Sequence, residues 1–128
     1  MRILLDTQIV LWTLDNNPRL SARARTLLTD PEHTFYVSSI SVWGIVIKHA
    51  LGKLPLSITL GELLGFVQAS GFQPLEFSGE HAVGVSSLLP LHTDPFDRAL
   101  LAQAFLEPMH LLTHDKQMVK YGGTVMFV

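Results

Sequence analysis

Arg2-Ile3-Leu4-Leu5-Asp6-Thr7 is the stretch on which the fold turns. Aliphatic residues follow one another without alternation and stop at an acid, the pattern of a strand buried on both faces, as parallel strands are. Thr7 is placed to cap a helix carrying Ile9, Val10, Leu11, Trp12 and Leu14, which Asp15-Asn16-Asn17-Pro18 ends. Outward from there the alternation repeats. Ser21 caps a helix from Ala22 to about Leu28, Phe35-Tyr36-Val37 reads as a second strand, and Ser38-Ser39 lead into a helix from about Ile40 to Leu51 that Gly52 stops. A weaker helix covers about Leu60 to Ala69, and Phe72 to Leu75 reads as a short strand that Pro74 confines to an edge or a bend. Ser78 caps a short helix reaching about Leu88. Asp94-Pro95, a cap followed by proline at the first helical position, opens a helix to about Leu106. Leu111-Leu112-Thr113 and Val125-Met126-Phe127 are the last strands. Strands alternating with helices predict an α/β fold, a three-layer sandwich with a mostly parallel central sheet flanked by helices, residues 1–128 forming one domain.

Composition narrows the function classes. Hydrophobic residues make up 48% of the 128 and charged residues only 16%, against a usual charged share of about 25%. A disordered tail, a charged coiled coil and a basic nucleic-acid wrapper are excluded. The formal net charge of -2 means that any nucleic-acid contact has to come from a local patch. With no cysteine, disulfides, thiolate zinc sites and cysteine nucleophiles are excluded as well. No apolar run approaches the roughly 18 residues of a spanning helix, and Asp6 interrupts the N-terminal one, so the expectation is a soluble, cytoplasmic protein with no membrane partner. The apolar excess is more than a monomer of this size needs and fits burial in an oligomer or under a partner.

Open parallel sheets place their sites beyond the carboxyl ends of the strands. Asp6 follows the first strand there, Ser38 and Ser39 follow the second, and Asp115 follows Thr113. The start of the Asp94–Leu106 helix adds Asp94 and Asp97. Carboxylates crowded into one cleft either rise in pKa or are held by a cation, and all-oxygen ligands suit Mg2+ or Mn2+. Such ions polarise phosphoryl oxygens and activate water for in-line attack. Each acid also has a plain structural reading. Asp6 and Asp115 fit turn positions, Asp94 before proline reads first as an N-cap, and Asp97 sits where a helix dipole favours an acid by about 0.3–1 kcal/mol. Their convergence on one edge favours a site. Lys48, Lys53 and Arg98 are the cations placed nearest that edge, or else solvated helix faces. His92 and His114 flank the acids and read as surface residues or substrate contacts, while Trp12 and Trp43 read as core or interface anchors. The histidines lack zinc-site spacing, and the glycine-rich nucleotide loops and the Gly-x-Ser-x-Gly elbow are missing.

Leu4-Leu5-Asp6-Thr7 resembles the opening of PIN domains. So do Val37-Ser38-Ser39-Ile40-Ser41-Val42-Trp43, Ile45-Val46-Ile47-Lys48 and Leu51-Gly52-Lys53-Leu54, and after them His92-Thr93-Asp94-Pro95-Phe96-Asp97-Arg98 and Leu111-Leu112-Thr113-His114-Asp115. In their order and over nearly the whole length these are similar to the VapC toxin branch of that family. The resemblance implies a Mg2+- or Mn2+-dependent endoribonuclease, the toxin of a toxin–antitoxin pair, homodimeric and neutralised by a small antitoxin whose segment occupies the active-site groove. Carried over by position, Asp6, Asp97 and Asp115 are the catalytic and metal-binding acids, with Asp94 an auxiliary metal residue. Arg98 or Lys48 would steady the RNA phosphate.

Two positions depart from the pattern. The family places a glutamate after the tryptophan of the third helix, where this chain has Gly44, and many relatives carry histidine where it has Gln8. A glycine inside a helix costs roughly 1 kcal/mol relative to alanine, so propensity does not account for Gly44. Close helix packing and loss of a damaging activity are the two explanations, and a missing carboxylate predicts weak cleavage or none. A non-catalytic PIN fold that only binds antitoxin or RNA is the alternative. A metal-dependent phosphatase ranks third, since Asp6-Thr7-Gln8 lacks the second aspartate that phosphoaspartate enzymes carry two residues later.

Overall fold

The computed structural model describes residues Met1–Val128. The order is β1 (Arg2–Leu5), α1 (Thr7–Leu14), α2 (Ala22–Leu28), β2 (Thr34–Ser38), α3 (Ser39–Ala50), α4 (Leu60–Ala69), β3 (Gln73–Leu75), α5 (Gly79–Gly84), α6 (Pro95–Leu106), β4 (His110–Thr113), α7 (Lys116–Val119) and β5 (Val125–Phe127). The five strands form one sheet in the order β3-β2-β1-β4-β5, and every pairing is parallel. The expected sandwich is therefore present, its sheet wholly parallel.

Strand β1 lies at the centre because its side chains have somewhere apolar to go on both sides. Successive residues of a strand face opposite ways. Ile3 and Leu5 join Ile9, Val10, Trp12, Ala24 and Val67 in one core, and Leu4 joins Leu100, Leu101, Ala104 and Met118 in the other. The neighbouring strands divide in the same way, with Phe35, Val37 and Leu112 in the first core and Leu111 in the second. Ile3, Leu4 and Leu5 are completely buried, each worth about 1.5–3 kcal/mol of transfer free energy. Strand β3 pairs only with β2, so the N–H that Pro74 lacks is missed by no partner.

Capping sets the helix starts. Ser21, Ser38, Thr59, Ser78 and Asp94 each accept a backbone N–H of the first turn that follows. Gly52, at φ 71°, adopts the left-handed conformation just past the end of α3. Three local expectations change. Thr7 is the first residue of α1, and its hydroxyl donates to Ser41 Oγ at 3.0 Å instead of capping. Asp6 holds the N-cap position without a side-chain capping bond. The helix after Ser78 gives way to a 3-10 turn at Val85–Ser87, short of Leu88. No helix is long and apolar enough to cross a membrane.

Candidate functional site

Parallel strands that all end on one side bring their final residues together, and here Asp6 and Asp115 leave neighbouring strands β1 and β4. The Asp6 carboxylate is buried, and its Oδ2 accepts the Thr113 hydroxyl at 2.6 Å. Thr113 Oγ1 in turn accepts the Asp115 N–H at 3.0 Å, so one threonine orients both acids. Asp115 Oδ1 accepts the Gln117 N–H and starts α7, while its Oδ2 faces His92 Nε2 at 2.9 Å. Asp97, in the first turn of α6, places Oδ2 3.2 Å from the same nitrogen.

His92 is the component that sequence reading set aside. The Asp94 backbone N–H donates to its Nδ1 at 3.1 Å, which leaves the ring proton on Nε2 to donate to Asp115, with the Asp97 carboxylate close beside it. The signal in the sequence was its place two residues before the cap of the acid-bearing helix. Around this core a cleft of about 510 Å3 opens, lined by Asp6, Asp97 and Asp115 together with Lys48, Lys53 and Lys116.

The electrostatics follow from burial and crowding. Burial pushes the Asp97 pKa up to about 7, with the negative charges of Asp6 and Asp94 adding to it and His92 opposing. Asp6 is also raised, first by desolvation, with the Thr113 hydroxyl bond and the Lys48 ammonium acting against the rise. One nitrogen of His92 and one carboxylate oxygen each of Asp97 and Asp115 lie within 4.8 Å of one another. Hard carboxylate oxygens on a water-open cleft, one of them on an acid that resists ionising alone, form a donor set suited to Mg2+ or Mn2+. The Nε2 proton keeps His92 out of that set in this tautomer and makes it a hydrogen-bond partner of the acids.

Other expected residues fall elsewhere. Asp94 spends Oδ1 on the Phe96 and Asp97 N–H groups at 2.8 and 3.3 Å, the work of a helix cap, and it does not line the cleft. Arg98, expected near the RNA phosphate, does not line the cleft. Its guanidinium donates to the carbonyls of Val85, Leu89 and His92 and to the Tyr121 hydroxyl, which fastens the segment that presents His92. Tyr121 helps by donating to Leu89 O at 2.6 Å and accepting the His92 N–H at 3.1 Å. Gly44 is buried beneath Phe96, whose ring carbon lies 3.2 Å from where a Cβ would stand. A side chain at this position would need the Phe96 ring to shift by a few tenths of an ångström. Trp12 is a core residue as expected, whereas Trp43 is 54% exposed.

Comparison with known proteins places this geometry. Solved structures that share the fold include VapBC2 from Rickettsia felis bound to a DNA fragment from its promoter, a toxin–antitoxin complex from Klebsiella pneumoniae, and DNA-bound VapBC from Salmonella typhimurium. The first is 17% identical, with a TM-score of 0.70 over 100% of this chain and 98% of its own. The second is 19% identical, at 0.62 over 97% and 95%, and the third 16% identical, at 0.65 over 100% and 97%. No curated protein matches the sequence. The PIN domain profile, however, matches residues 3–123. On that match, which takes in β2, β3, β4 and all of β1 but Arg2, the chain belongs to the PIN domain family.

Proposed function

We propose that this protein is a VapC-type toxin, a divalent-metal-dependent endoribonuclease paired with a small antitoxin, working as a homodimer on RNA. The observation that carries the reading is that Asp6, Asp97 and Asp115, from two strands and a helix, line one cleft whose rim holds Lys48, Lys53 and Lys116. The toxin–antitoxin complexes among its structural neighbours support the antitoxin partner.

Asp6, Asp97 and Asp115 would hold Mg2+ or Mn2+, and the bound ion supplies polarisation of a phosphoryl oxygen and an activated water. The chain's own residues do the rest. Thr113 fixes Asp6 and the Asp115 backbone. His92 fixes the Asp115 carboxylate through its Nε2–H and lies beside that of Asp97. The three lysines offset the negative charge of an incoming strand, with Lys48 the one close enough to act on Asp6. Asp94 acts as the cap that aims α6, and its charge raises Asp97.

Gly44 favours a second reading, a PIN fold that binds antitoxin or RNA without cutting, because Phe96 occupies the space beside the position where the family carries its fourth acid. A Mn2+-dependent RNA cleavage assay on the native chain, Gly44→Glu and Asp6→Asn separates the two. The proposal expects weak cleavage by the native chain, about 10²-fold more from Gly44→Glu once the Phe96 ring yields, and none from Asp6→Asn. Absence of cleavage and of Mn2+ binding in the folded native chain and in Gly44→Glu would establish the non-catalytic reading.

A further inference from the structure

The cleft continues past the aspartates. A second cavity of about 300 Å3 adjoins it, and Gln8, Leu11, Trp12 and Leu54 belong to the walls of both. It runs between α1 and the segment that carries Leu54 and Pro55, and it reaches Arg19 at its far end. The distribution of free cations follows the same path. Arg2, Arg23, Arg25 and Arg98 donate to acceptors within the chain, and Lys120 donates to Gln117. All the ion pairs are between histidines and carboxylates. The four remaining cations are Lys48, Lys53, Lys116 and Arg19, and every one lines one of these two cavities. Asp15 is the single acid in the second cavity, against three in the first.

We propose that the second cavity is a nucleotide subsite, taking the residue that flanks the phosphate held at the aspartates. The apolar wall of Leu11, Leu54 and Pro55 receives the face of the base, as unstacked bases require of a single-strand reader. Gln8 is exposed at the junction of the cavities. Its amide offers a donor and an acceptor together, the pair that the N6/N7 edge of adenine meets bidentately. Arg19 takes the next phosphate along the strand. Position 8 thereby sets base preference beside the cut, while the lysines bind any sequence. The inference rests on the RNA reading of the main cleft.

Fluorescence anisotropy tests it without relying on cleavage. The probes are labelled uridine oligoribonucleotides in which a single adenine is moved along the strand, with Ca2+ present to neutralise the aspartates. One adenine register is expected to bind about 10-fold tighter than plain oligouridine. Gln8→Ala should abolish that gain, so that no adenine register binds tighter than oligouridine. Arg19→Ala should weaken every probe and lower the salt slope by about one. If all registers bind the native chain equally, or if Gln8→Ala and Arg19→Ala behave as the native chain while Lys53→Ala loses affinity, the subsite is wrong and RNA binding in the main cleft stands. If the native chain binds no RNA, the RNA reading falls and the subsite with it.

Discussion

At the scale of single residues, Asp97 is an acid with much to gain from a cation. Its pKa in the folded chain is raised from 3.8 to about 7, chiefly by burial. A proton bound more tightly by the folded than by the unfolded state contributes stability that is fully present below the unfolded pKa and lost as pH rises through the folded one. Ion-free protein should therefore lose stability between about pH 4 and pH 7 and level off above. Asp97→Asn, which mimics the protonated acid, should raise the melting temperature at pH 8 by clearly more than at pH 5, where only the first part of the loss has occurred. Allowing for solvent screening at a partly open cleft, the gain is about 1–2 kcal/mol, read by thermal denaturation in chelator. An equal effect at both pH values would show that Asp97 ionises freely. Asp6, Asp97 and Asp115 were visible in the sequence as acids at strand ends and a helix start. His92 was not, because its role depends on a ring proton given to the Asp115 carboxylate, and neither were the carbonyl contacts of Arg98, because a guanidinium spent on backbone leaves no sequence signature.

The element that matters most to the site is the segment from Val85 to His92, which has no regular structure of its own beyond one 3-10 turn. It is held by Arg98 and Tyr121, reaching it from α6 and from just beyond α7. Arg98→Ala should lower stability in urea unfolding by about 1–3 kcal/mol, because several carbonyl contacts are lost at once. A phosphate-contacting arginine would leave stability unchanged and weaken only RNA binding, so the two roles separate cleanly. The elements that were legible in the sequence are those with long or strongly capped patterns, such as α6 behind Asp94-Pro95 and β1 with its apolar run. Helix α7, four residues long, is shorter than the periodicity by which helices are recognised. In the 3-10 turn that follows α5, the Val85 carbonyl accepts from both the Leu88 N–H and the Arg98 guanidinium.

Across the whole molecule, two cores meet at the middle strand and their shared frame aligns the acids. Leu4→Ala and Leu5→Ala empty opposite cores, yet each should cost about 2–5 kcal/mol by urea unfolding. Tolerance of either would mean that one layer is not packed against the sheet. The parallel sheet and its layers were predictable from strand–helix alternation, and the convergence of three aspartates followed from the rule that open parallel sheets carry sites beyond their carboxyl ends. Where the free cations gather was not predictable, since the net charge of -2 conceals a groove holding four of the nine lysines and arginines. The most direct measurement of the central claim is calorimetric titration of Mn2+ into the native chain and into Asp97→Asn and Asp115→Asn. One binding event per chain is predicted, weakened at least about 10-fold by either substitution. Absence of binding, or an affinity that neither substitution changes, would contradict a metal site built by these carboxylates.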